Sequence, residues 1–303
     1  MHPPIEVILN ARAGSGPRES GREDIQAEFR KQGGEAVVSL VEASGLSELA
    51  RKKAAGGAQV IVAAGGDGTL AAVAAALLGT DKVMGVLPLG TLNHFSKDLH
   101  IPQSLEGAVQ TVLKGRVARI DVGDVNGRIF LNNSSLGVYP VVVADRVGQQ
   151  RRLGRGKWRA FAAALFHLLN RYPRLNLEVA FEGRKISRRS PFLFVGNNPY
   201  ELSGFDLGAR RRLDSGQLGL YLTSRTGRFD LLRLLTRAFF GRLEQQRDFE
   251  SFAVTEARVE TSQRELLVAT DGEVARMSGP LHYRTHPAAL RVMVPRGEEK
   301  APG

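Results

Sequence analysis

Across roughly the first 120 residues, apolar and polar positions fall into two alternating rhythms. Short unbroken apolar runs, Ile5–Asn10, GEAVVSLVE, QVIVAAG and VMGVLPLG, read as strands buried on both faces. Between them, three-to-four-residue periodicity predicts helices from about Ser20 to Gln32, Ser47 to Ala55, Leu70 to Leu78 and Ser104 to Lys114. Strand and helix in strict alternation predict a parallel sheet covered on both sides.

After Arg119 the period shortens. RIDVGDVNGRIFLNNSSLGVY reads as two short strands around Asn126-Gly127, a strong hairpin signal. Further strand-like runs follow: LNLEVAFEGRKI, PFLFVGN, GQLGLYLTS, ESFAVTEARVETS, ELLVATDGEV and ALRVMVP. Helical patterns interrupt them at Lys157–Arg171 and Phe229–Leu243. The expected fold is an α/β N-terminal domain over residues 1–122 and an antiparallel β-sandwich over 123–303. The last residues are free to return to the first domain.

The chain of 303 residues has no Cys, which rules out disulfides and thiolate chemistry. No leader-like segment opens it, and its longest apolar run, Leu70–Leu78, falls far short of the ~20 residues of a membrane span. A cytoplasmic protein, soluble or peripheral at a membrane, is expected. Its 42 Lys and Arg against 31 Asp and Glu give a formal net charge of +11, which favours an anionic partner. Nothing beyond charge suggests nucleic acid, and no binding motif for it is present. The histidines show no metal-ligand spacing.

The stretch VIVAAGGDGTLAAV supplies the first chemistry. Ligands of open parallel sheets bind beyond the carboxyl ends of the strands. There Gly65, Gly66 and Gly68 let a phosphate approach the backbone, and the following helix offers unpaired N–H groups. Thr69 is expected to cap that helix or to bond a phosphate. Asp67 would repel a phosphate unless Mg²⁺ mediates. Two more glycine-bearing loops end strands of the same sheet: NARAGSG, with Asn10 and Gly14, and PLGTLNHFSKDL, with Gly90, Thr91 and Asn93.

In these segments, and in LDSGQLGLYL and the late DGE, the chain resembles the diacylglycerol kinase catalytic family, in particular its soluble bacterial lipid kinases, which are sphingosine-kinase-like. The resemblance implies a first domain similar to NAD kinases and phosphofructokinases that binds ATP and Mg²⁺. It also implies a sandwich facing the lipid, with the active site in the cleft between. Asn10 and its loop, Gly65 to Thr69, Gly90, Thr91 and Asn93 would organise the nucleotide, Asp67 acting through Mg²⁺. Glu273 would be the base on the lipid hydroxyl, with Asp271 beside it. In relatives the segment around Asp214-Ser215-Gly216 holds a structural Mg²⁺. Here Arg212, Asp214, Ser215 and Gln217 would have to hold it, with Ser215 where an Asp is usual. His94 likewise stands at a usual Asp, and Val41 at a usual Thr.

The helix Lys157–Arg171 collects Trp158, Phe161, Leu165, Leu168 and Leu169 on one face, beside Arg151, Arg152 and Arg155. Such a face either packs on the sandwich or docks on an anionic bilayer carrying the lipid substrate. The expected activity is ATP-dependent phosphorylation of a lipid hydroxyl, diacylglycerol first. The rivals are an NAD kinase-like enzyme and a non-catalytic protein that senses nucleotide or binds anionic membrane. A homodimer is compatible with all three.

Overall fold

The structure is a computed structural model that describes residues 5–11, 18–137, 175–203, 206–210, 212–222 and 250–296. Gly14, the basic residues at 151–157 and the helices expected over 157–171 and 229–243 lie outside the described residues. The chain divides into two units, Met1–Asp121 with Ala288–Gly303, and Val122–Pro287.

The first unit follows the predicted alternation: β1 (Ile5–Asn10), α1 (Arg18–Lys31), β2 (Ala36–Val41), α2 (Leu46–Ala55), β3 (Val60–Gly65), α3 (Asp67–Leu77), β4 (Val83–Pro88), α4 (His94–Asp98), α5 (Leu105–Lys114) and the start of β5 (Arg116–Val125). The strands pair in parallel in the order β2-β1-β3-β4. Val7, Ile8, Ile61, Val62 and Met84 are fully buried, as continuous apolar runs require. α1 packs on α5, and α2 on α3. Ser104 caps α5 by accepting the Gly107 N–H. The chain leaves β1 toward β2 and then returns past it to β3. The boundary between β1 and β3 is therefore a topological switch point, where open sheets of this kind form a crevice.

α3 begins three residues earlier than the periodicity suggests. The Gly66 carbonyl accepts from the N–H groups of Thr69 and Leu70, so Gly66 takes the cap position and Thr69 lies inside the helix, buried.

The second unit continues from β5 through β6 (Arg128–Phe130), β7 (Asn133–Gly137), β8 (Leu175–Phe181), β9 (Arg184–Ser190), β10 (Phe192–Asn197), β11 (Glu201–Ser203), β12 (Asp206–Ala209), β13 (Leu218–Leu222), β14 (Glu250–Val254), β15 (Glu256–Thr261), β16 (Glu265–Thr270) and β17 (Glu273–Ser278) to β18 (Leu281–Val294). One antiparallel sheet runs β14-β13-β10-β7-β16-β17, and a second runs β18-β15-β8-β9. Leu136, Val195, Leu220 and Val268 from the first meet Leu177, Val179, Val259 and Tyr283 from the second in one core, so the sheets form a sandwich.

Two runs read as single segments prove to be pairs of strands. LNLEVAFEGRKI folds back at Glu182-Gly183, where both residues have positive φ (48° and 73°). ESFAVTEARVETS switches sheets at Thr255: Val254 pairs with Leu218 in one sheet, and Glu256 with Arg284 in the other. The final strand β18 gives its first residues to the sandwich, opposite β15. Its last residues run parallel to β4 in the first unit, Arg291 opposite Val83. No helix among the described residues is long and apolar enough to cross a membrane.

Candidate functional site

In the first unit, the end of β1 and the loops after β3 and β4 come together at the carboxyl edge of the sheet. Asn10, at the end of β1, donates from Nδ2 to Thr69 Oγ1 at 2.9 Å. This bond spans the switch point. Gly66 and Gly90 bring two loops into backbone contact: a Cβ at Gly90 would lie 2.5 Å from the Gly66 Cα. Only glycine permits that approach. Asp67 accepts from the N–H groups of Phe95 (3.2 Å) and His94 (3.4 Å), so its carboxylate ties the start of α3 to α4.

Asn93 sits in the left-handed region (φ 51°), buried, and donates from Nδ2 to the carbonyls of Pro88 and Gly90 and to Gln103 Oε1. Its Oδ1 is buried without a donor. Gln103 in turn donates to Ser96 Oγ and the Ile101 carbonyl, locking the loop. Thr91 is exposed at its tip. A tight glycine contact and a helix start, both offering main-chain N–H groups, are the features here that suit a phosphate. Asp67 is the carboxylate at this edge. Asn10, Gly65, Gly66, Asp67, Gly68, Thr69, Gly90, Thr91 and Asn93 all fall on this edge.

In the second unit, Asp271 and Gly272 form the two-residue turn between β16 and β17, with φ of 47° and 85°. The turn exposes Glu273 and turns Asp271 inward. The Asp271 carboxylate accepts from the N–H groups of Leu131 (2.7 Å), Asn132 (2.8 Å) and Asn133 (3.1 Å). It therefore anchors the segment joining β6 to β7. The buried Arg210 grips the same segment, donating to the Leu131 and Asn197 carbonyls and to Asn132 Oδ1. Tyr200 donates to the Asn132 carbonyl and lies under the Arg210 guanidinium, 5.4 Å away. The Tyr221 hydroxyl bonds both main-chain groups of Tyr200, and burial pushes its proton affinity up.

Glu273 has a partner that the sequence did not announce. Arg128, on β6, donates from Nη2 to Glu273 Oε2 at 2.8 Å and from Nε to Thr270 Oγ1 at 2.7 Å. The fork fixes one carboxylate oxygen and leaves Oε1 exposed. No local signal could have found it: the Asn126-Gly127 turn sets Arg128 opposite Val125, and its bonds reach Thr270 and Glu273, 142 and 145 positions away.

The four positions named for a structural Mg²⁺ are engaged in hydrogen bonds. Arg212 Nε donates to Asp214 Oδ1 (3.0 Å), and both side chains are exposed. Ser215 donates from both its main-chain N–H (2.9 Å) and its hydroxyl (2.6 Å) to Asn198 Oδ1. The Gln217 carbonyl accepts the Asn198 N–H. Hydrogen bonds to Asn198 thus hold this loop, and no group of three or more His, Asp or Glu that could hold a metal ion exists among the described residues.

The chain is thus a two-unit protein, an α/β unit with glycine loops meeting at one sheet edge, followed by a β-sandwich bearing an exposed, arginine-held carboxylate. The pattern of the diacylglycerol kinase catalytic domain matches residues 4–125. That of the YegS C-terminal NAD kinase beta sandwich-like domain matches 135–294. The chain belongs to this diacylglycerol kinase family. A diacylglycerol kinase of Staphylococcus aureus (strain JH9) is 26% identical over 178 residues, 58% of this chain and 56% of the relative. The match thus spans little more than half the length of such curated relatives. Solved structures from Bacillus anthracis str. Sterne share the fold. A candidate diacylglycerol kinase superposes with TM-score 0.76 and a diacylglycerol kinase with 0.69, each 19% identical over 96% of both chains.

Proposed function

We propose that this protein is an ATP- and Mg²⁺-dependent lipid kinase that phosphorylates a lipid hydroxyl, that of diacylglycerol first. The observation that carries the reading is the backbone contact of Gly66 and Gly90 beside Asn10 and Thr69, a cradle for polyphosphate. The names of the relatives supply the lipid. When bound, ATP–Mg²⁺ supplies the phosphoryl group and neutralises its charge. The chain's own residues position and move protons. The α3 start and the Gly90 loop hold the phosphates, and Asp67 keeps these two elements in register. Glu273 Oε1 accepts the proton of the lipid hydroxyl as that oxygen bonds phosphorus and the bond to the ADP oxygen breaks. Asp271 serves as a positioning residue, holding the segment from Leu131 to Asn133 against the turn. The protein would act from the cytoplasmic side on substrate in an anionic bilayer.

The test is transfer of labelled phosphate from ATP–Mg²⁺ to a panel of lipids in mixed micelles, with NAD⁺ as a further acceptor. Diacylglycerol is expected to be labelled. Glu273→Gln is expected to lower turnover by about 10²–10⁴-fold with ATP binding unchanged. Labelled NAD⁺ and unlabelled lipid would overturn the reading.

A further inference from the structure

We propose that Gln103, which lies outside the glycine loops, is a positioning residue for nucleotide binding: it sets the loop between β4 and α4 from a distance. The assignment rests on the nucleotide-binding part of the reading above and goes beyond it in naming what holds that loop in shape.

Asn93 stands in the left-handed region, φ 51°, a conformation that disfavours most side chains. A closed ring of hydrogen bonds keeps it there. Asn93 Nδ2 donates to Gln103 Oε1 (3.2 Å), Gln103 Nε2 donates to Ser96 Oγ (3.0 Å), and Ser96 Oγ donates to the Asn93 carbonyl (3.1 Å). Each amide has one orientation that fits. Gln103 Nε2 also faces the Ile101 carbonyl (2.9 Å), and Asn93 Nδ2 faces the carbonyls of Gly90 (3.0 Å) and Pro88 (3.2 Å). Carbonyls only accept, so the amino end of each side chain must point at them. Ser96 is fully buried, and its hydroxyl serves the ring once as donor and once as acceptor.

The ring acts on the glycine contact. Asn93 holds the Gly90 carbonyl, and Gly90 is the residue whose Cβ would lie 2.5 Å from the Gly66 Cα. Gly66 takes the cap position of α3, whose first N–H groups suit a phosphate. Gln103 is itself fixed by the next element. Its neighbour Ser104 caps α5, and Glu106 in the first turn of α5 is bonded by Lys31 and Gln32 at the end of α1. Gln103 is also exposed, so shortening it opens no core cavity.

The test compares ATP–Mg²⁺ binding, thermal melting and amide hydrogen exchange of the full chain, without lipid. Gln103→Ala is expected to raise the Kd for ATP about tenfold, since it removes three hydrogen bonds that shape the loop. The melting temperature should stay within about 3 °C of wild type. The His94 and Phe95 amides, which Asp67 accepts, should exchange faster. Gln103→Glu keeps the acceptor for Asn93 and loses both donations, so its Kd should lie between the two. Gln110→Ala, which alters an exposed glutamine on α5, should match wild type. An unchanged Kd in Gln103→Ala, whether or not melting falls, would overturn the assignment, and so would an equal loss in Gln110→Ala. Absence of ATP binding by wild type would overturn the nucleotide reading and the assignment with it, an outcome distinct from intact binding by the variant.

Discussion

Glu273 and Asp271 are two residues apart, and their surroundings give them different work. Three main-chain N–H groups occupy Asp271, while Glu273 keeps one oxygen exposed because Arg128 holds the other. Arg128→Ala is therefore expected to lower kcat on the order of 10–100-fold by releasing the carboxylate from its geometry. ATP affinity should stay as it is, and Arg128→Lys should restore part of the rate. Steady-state kinetics with an ATP-binding assay would check this; an equal loss of ATP affinity would contradict it. A second residue carries a pH dependence. Tyr283 is fully buried with only Ser134 Oγ, 3.2 Å away, as partner, and burial pushes its hydroxyl well above the ordinary tyrosine range. The unfolded chain gives up this proton near pH 10, whereas the folded one keeps it. The stability contributed is complete below that pH and is lost as pH rises beyond it. Urea unfolding of wild type and Tyr283→Phe should differ by a constant amount below about pH 10, with the difference changing in favour of the variant above it.

At the scale of elements, the α/β half was readable because short, mostly apolar runs alternate strictly with helical periodicity. The start of α3 was not, because the Gly66 carbonyl caps from the backbone and leaves no side-chain signature. In the sandwich, Asn126-Gly127 announced its turn, but Glu182-Gly183 did not, since Glu is an unusual residue at positive φ. The sheet switch at Thr255 leaves only a one-residue slip in the alternation, from Phe252 and Val254 to Ala257 and Val259. Asp67 was read as a phosphate-side carboxylate from its glycines alone. Its bonds to the His94 and Phe95 amides depend on a loop 27 or 28 residues away, which local spacing does not encode. The turns themselves are testable. A Cβ at Gly127 (φ 84°) meets nothing within 4 Å, so Gly127→Ala isolates the backbone cost of the left-handed conformation, about 1–2 kcal/mol. Denaturant melts would measure it, and a value near zero would mean that the turn relaxes to another type.

At the scale of the whole molecule, the sequence order of the two units matters more than their composition. The first unit draws on Met1–Asp121 and again on Ala288–Gly303, with everything from Val122 to Pro287 intervening. Asp121, buried, accepts the Ala288 N–H at 2.9 Å, so the two places where the chain leaves and re-enters this unit are tied directly. A fragment of residues 1–121 lacks the strand segment that pairs with β4 and leaves that edge bare. It is expected to bind ATP far more weakly than the full chain and to exchange its β4 amides faster, as hydrogen exchange would show. The same arrangement governs how the protein is made. A ribosome delivers the first four parallel strands early, but the segment that closes the fourth emerges only after the sandwich has been synthesised. A nascent or prematurely terminated chain therefore cannot complete the sheet of its first unit, and an interrupted product is left with an open strand edge for proteases and chaperones to recognise.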